Sequence, residues 1–223
     1  MRSTPNKKEG GFSLLELMIA MTIMLLVMGI VSMLFSRALG VRRRESSRTD
    51  ALTSAQAALN VISREIANSG FGIYNDPVTR VANNGIVLSD SNSSRIRVRA
   101  NITNTQTYAA PTVAATSDPG EDITYFLDST TSSIVRFDRN AVSPRPTTSI
   151  VVNRISEVSF QYVNYTYGSS ATTTTSTPTA TTGRVIITVI VRLDPVAGQQ
   201  NPGTVTFTSD VTLRNSNYML QQY

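Results

Sequence analysis

Hydrophobic positions fall into three successive patterns along the chain. Over residues 17–35 they are nearly continuous, LMIAMTIMLLVMGIVSMLF, broken only by Thr22, Gly29 and Ser32. Further on they recur at spacings of three and four, at Leu52, Ala55, Leu59, Ile62 and Ile66. Thr53, Gln56, Asn60 and Arg64 fill the positions between, and Glu65 lies beside the stripe. That is the period of a helix with one buried face. Beyond Gly70 the period falls to two, as along Val158, Phe160 and Tyr162, the signature of half-buried strands.

No proline falls between Phe12 and Asn68, so the first two patterns can form one helix of about 55 residues, wholly apolar first and amphipathic second. Gly40 and residues 42–47 are the expected place for a bend or local melting, with Gly29 next. Asn68-Ser69-Gly70 is the expected stop, with Gly70 free to turn left-handed. No strict heptad with complementary charges accompanies the stripe, which argues against a coiled coil. Strands are expected at 86–88, 95–100, 123–127, 133–138, 150–155, 158–162, 184–193 and 204–213. Ser209-Asp210 would be a bulge or turn in the last. Turn signals separate these segments, at Asp118-Pro119-Gly120, Asp194-Pro195 and Asn201-Pro202-Gly203. The threonine-rich stretch 168–183, GSSATTTTSTPTATTG, has no apolar period and is expected to be a flexible, solvated hairpin loop rather than an O-glycosylated segment. The fold class is thus α+β, an antiparallel sheet lying on the helix stripe.

With Phe12 to Leu15 added, the apolar run is about 24 residues, or about 36 Å as a helix. It can span a hydrocarbon core of about 30 Å with some tilt. It is too long for the apolar region of a secretory signal, and a small-x-small site at Ser36-Arg37-Ala38 would have Arg37 inside it. A plain signal anchor leaves one residue unexplained. Glu16 sits in the first turns of the run, where a charge at a helix centre costs on the order of 2.5–3.5 kcal/mol.

Composition removes several chemistries. The 223 residues include no Cys and no His, which excludes Cys/His zinc sites, Cys-His and Ser-His catalysis, and disulfides. Lysine is confined to Lys7 and Lys8, so no Ser-Lys dyad exists further on. The net charge is +5, much of it near the N-terminus at Arg2, Lys7, Lys8, Arg37, Arg42, Arg43, Arg44 and Arg48. That excess is compatible with an anionic partner such as a lipid surface or nucleic acid. Because cations flank the apolar run on both sides, charge counting alone does not orient it.

The stretch Gly11-Phe12-Ser13-Leu14-Leu15-Glu16, preceded by Lys7 and Lys8 and followed by the apolar run, resembles the prepilin leader of type IV pilins and type II secretion pseudopilins. The glycine, the aromatic, the acid five residues beyond the glycine and the apolar continuation are all in register. The resemblance implies cleavage by a membrane-embedded prepilin peptidase between Gly11 and Phe12, and N-methylation of Phe12. It also implies pairing of the new Phe12 amine with Glu16 of the same or a neighbouring chain. A leader at 1–11, a membrane and filament-core helix at 12–36, an amphipathic helix at 37–70 and a β-rich head at 71–223 would follow, the lollipop of pilins. The implied place is the cytoplasmic membrane, single-pass, with the head outside the cytoplasm, and then a pilus or pseudopilus. Partners implied are the peptidase, other minor and major pilins, the inner-membrane assembly platform and the bilayer.

QAALNVISREIANSGFG, VNRISEVSFQYVNYTYG and VTLRNSN look like segments of the minor pilin W group and the related J-type pseudopilin. The W group is taken as the nearer, which implies a non-enzymatic subunit that helps to start filament assembly. The J-type pseudopilin and a membrane-anchored adhesin or DNA-binding module stand as alternatives. No cofactor is expected.

Two further constellations invite chemistry. Arg95, Arg97 and Arg99 share one face of a strand, opposite Ile96 and Val98, and could meet DNA phosphates. A charged sheet face that discourages aggregation is the favoured role. Asp118, Glu121 and Asp122 share a loop, but their spacing does not match an EF-hand, and a solvated turn is favoured over a metal site.

Overall fold

The computed structural model describes residues 11–73, 83–103, 116–166, 168–193, 203–216 and 219. Among the described residues one α-helix, α1 (Leu14–Ala67, 54 residues), precedes eight strands. The chain divides into two compact units, 1–46 and 47–223. The helix is unbroken through Gly29, Gly40 and residues 42–47, so the local melting expected there does not occur. Isolated Gly costs only about 1 kcal/mol in a helix. The flanking Leu, Met, Ala and Arg are strong helix formers.

In the first unit the apolar part of α1 has no cover, and residues 14–35 are exposed on every side. In the second unit α1 buries Ala51, Ala55, Ala58, Leu59, Ile62 and Ile66. The buried face is therefore centred slightly off the expected stripe. Ala51 and Ala58 are inside, while Leu52 is only half-buried.

The strands form two four-stranded antiparallel sheets rather than the one expected. Sheet A is ordered β1 (Arg95–Arg99), β2 (Asp122–Asp128), β3 (Ser133–Asp138), β4 (Thr148–Val152). Sheet B is ordered β6 (Thr172–Thr175), β5 (Ile155–Tyr165), β7 (Thr182–Arg192), β8 (Thr204–Thr212). The split falls where one strand was expected over 150–155. There Arg154 takes a φ of 62°, and the chain turns from β4 into β5. Both sheets contribute to one core with the helix: Ile96, Ile123, Tyr125 and Ile134 from sheet A, and Val158, Phe160, Val185, Ile187 and Leu213 from sheet B or just beyond it. The strand expected at 86–88 is instead a single bridge, Ile86 with Val98, followed by a 3-10 turn, Leu88–Asp90.

The 168–183 stretch also departs from expectation. Thr172–Thr175 is a strand paired with residues 162–165 of β5. Beyond it, Thr179 and Thr182 donate their hydroxyls to Asn164 Oδ1, and Asn164 Nδ2 donates to Thr175 Oγ1 at 2.9 Å. Threonine is β-branched and favours extended chain, and its hydroxyls satisfy the buried Asn164 amide. Periodicity cannot see that second property. Ser209-Asp210 forms no bulge, because β8 pairs with β7 without a register shift. Ser209 takes an inward position and its Oγ lies 2.9 Å from Ser63 Oγ on the helix.

The helix ends as predicted, with Gly70 at a φ of 79°. The chain's last described segment closes that end. Arg214 N–H donates to Ala67 O at 3.1 Å and Asn215 Nδ2 to Ser69 O at 3.0 Å. The first uses a carbonyl that a helix end otherwise leaves unpaired, and the second holds the turn just beyond it. Gly85 approaches so closely that a Cβ there would stand 2.0 Å from Gly70 N.

Candidate functional site

The N-terminal site is built from consecutive residues at the start of α1. Gly11, Phe12 and Ser13 lie outside the helix and are exposed, Phe12 to 89%. Ser13 is the N-cap. Its carbonyl accepts the Leu17 N–H at 3.1 Å, and its Oγ accepts the Leu15 N–H at 3.3 Å. Three residues on, Glu16 reaches back, and its Oε2 accepts the Ser13 N–H at 3.1 Å. This is a capping box, which satisfies reciprocally two of the donors a helix start exposes. The carboxylate also stands at the positive end of the helix dipole. Ser13-Leu14-Leu15-Glu16 carries the S-x-x-E signature of this motif, a signal available in the sequence that the search for a charge partner alone overlooks.

The helix that follows is the one described segment long and apolar enough to cross a membrane by length and composition. Charge is concentrated on the same side of the molecule's sequence. Residues 1–46 carry seven Lys/Arg against three Asp/Glu, and residues 47–223 carry thirteen against twelve. The second unit is therefore close to neutral in net charge.

The arginine stripe of β1 is placed as predicted, with Ile96 and Val98 buried on the opposite face. Two of its three cations, Arg95 and Arg97, have acidic partners. Arg97 makes a two-pronged contact with Asp122, Nε to Oδ1 at 2.7 Å and Nη2 to Oδ2 at 2.6 Å, and a further bond to Asp90 at 3.0 Å. Arg95 pairs with Asp90 at 3.2 Å. The Asp122 hydrogen bond is the main cause that raises the Arg97 pKa above its ordinary value, so the guanidinium stays charged. Arg99 stands opposite Asp122 in the register of β1 and β2. A cleft of about 640 Å³ borders Arg95, lined by Phe126, Leu127, Glu157 and three serines.

The acids of the 118–122 loop are likewise used internally. Glu121 is buried and accepts the N–H groups of Thr103 and Asp118 at 2.9 and 3.1 Å. Asp138 accepts the Gly120 N–H at 2.8 Å. Among the described residues, no group of three or more acids is placed to hold a metal ion. A second polar network ties helix to sheet. Glu65 accepts the Tyr125 hydroxyl at 2.5 Å and Arg136 Nε at 3.1 Å. Burial, reinforced by the Glu65 charge, pushes the Tyr125 hydroxyl pKa well above its ordinary value.

Residues 11–35 thus combine a non-helical Gly-Phe peptide, a capping acid at the third helical position and an exposed apolar helix. Residues 6–32 match the family described as the prokaryotic N-terminal methylation motif, the signature of type IV pilins and pseudopilins. That motif points to a structural, non-enzymatic protein, and it implies processing by a prepilin peptidase and assembly with other pilins. No curated protein and no solved structure matches the chain.

Proposed function

We propose that this chain is a minor type IV pilin of the W group. It enters the membrane as a single-pass precursor with its head outside the cytoplasm. It is cut between Gly11 and Phe12, N-methylated at Phe12, and packed through residues 12–36 against the helices of other pilins to start a filament. The observation that carries this reading is one helix with two fates. Its first part, inside the matched motif, is apolar and wholly exposed, while its second part is committed to the head.

Glu16 then has a second role. A carboxylate offers about four acceptor sites on two oxygens, so accepting the Ser13 N–H leaves capacity for the Phe12 amine. Buried unpaired, each charge is costly, and paired they fix an axial register between helices. Arg42, Arg43 and Arg44 suit the anionic headgroups beside the membrane before assembly. Phosphate contact through the β1 stripe is not favoured, since Arg95 and Arg97 are held by Asp90 and Asp122.

Deletion of the gene in its own host tests the assignment. Loss of surface filaments with protein secretion intact supports a minor pilin. Loss of secretion with filaments intact selects the J-type pseudopilin instead. Complementation with Glu16→Ala is expected to restore a cleaved protein but no filaments.

A further inference from the structure

We propose that Ser13 is a positioning residue for the cleavage itself. As N-cap it stops α1 short of the Gly11–Phe12 bond and presents that bond as non-helical chain. The inference rests on the reading that the chain is processed after Gly11.

A peptide bond inside a helix has its N–H and C=O groups engaged and must first open locally before a protease can hold it. An N-cap residue has non-helical backbone angles while its carbonyl accepts the first helical bond. Ser13 meets both conditions, with its carbonyl on Leu17 N–H and its hydroxyl on Leu15 N–H. Two residues upstream, among the described residues, nothing lies within 4 Å of where a Cβ on Gly11 would stand, which leaves room for close approach there. Phe12 precedes the cap and Leu17 sits four positions past it, the spacing of a hydrophobic staple. Both side chains are nevertheless exposed, so in the precursor the Phe12 ring is left for a partner. Ser13 thus sets where the helix begins, and Glu16, which completes the box, keeps its charge for assembly.

The test uses full-length precursor in membranes with a purified prepilin peptidase, following the mature chain by mass. Ser13→Ala is expected to be cut about fivefold more slowly, the rate equivalent of one lost cap. Ser13→Asp and Ser13→Gly are expected to be cut close to the parent rate, because both residues serve as N-caps. Glu16→Gln is expected to be cut at the parent rate, since Gln can complete the box, yet to fail in assembly. In Ser13→Ala the helix is expected to start earlier, with the Leu15 N–H taken up by the Gly11 carbonyl and still protected from exchange in micelles. Quickened Leu15 exchange would mean that the helix start frays instead, and would overturn the proposal. Equal cleavage of Ser13→Ala and the parent overturns the proposal. So does a Ser13→Gly as slow as Ser13→Ala, which would mean that the peptidase reads the side chain directly. If the parent itself is not cut after Gly11, the functional assignment fails, whatever Ser13 does.

Discussion

The two parts of α1 share a backbone and differ in what surrounds them. Residues 14–35 are almost wholly apolar and exposed, whereas residues 51–66 bury one stripe against two sheets and keep polar groups outside. A soluble monomer rarely exposes contiguous apolar surface beyond a few hundred Å². On the proposed reading the first part finds its partners in lipid or in other helices, while the second finds them in the two sheets. Secondary structure alone does not tell these parts apart, and burial does.

Substitutions should separate the two parts cleanly. Ile62 is fully buried, so Ile62→Ala should cost about 2–5 kcal/mol of head stability in denaturant unfolding. Ile23→Ala, on the exposed part, should leave that midpoint unchanged. A shift with Ile23 as large as with Ile62 would break the comparison. Next in size, Ile23→Lys should weaken membrane insertion by about 2.5–3.5 kcal/mol on a translocon assay, again with no change in the head. Glu65→Ala strands Tyr125 and Arg136, and should cost about 1–3 kcal/mol. A double-mutant cycle with Arg136→Ala measures how much of that is coupling. The smallest effect is alkaline. The folded Tyr125 hydroxyl has a raised pKa, so its contribution is complete below the ordinary value of 10.0 and is lost as pH rises above it. Tyr125→Phe should make the decline in melting temperature above pH 10.0 shallower.

Much of this contrast could be read from the chain. An all-apolar run followed by a three-four stripe gave one helix of two characters, and the Gly11 to Glu16 spacing gave the processing motif. The faces of β1 and β5 followed from alternation. What escaped depends on partners distant in sequence. The division into two sheets turns on a positive φ at Arg154, which no propensity predicts for arginine. The threonine-rich stretch is ordered by Asn164, and two of the β1 arginines, Arg95 and Arg97, are paired with Asp90 and Asp122. Composition showed those arginines as a cationic stripe because the acids come from another strand and a turn. Ser13 was legible as a capping signature, but the cost of a charge in an apolar run drew attention to Glu16 alone.

The central claim is that the apolar part of α1 is released by cutting after Gly11 and then used for packing. Intact-mass and N-terminal sequencing of the protein recovered from its host's membranes tests it most directly. The account predicts a chain beginning with N-methylated Phe12. A chain that still begins at Met1, or one that begins near Leu39 with the apolar helix removed, would contradict it.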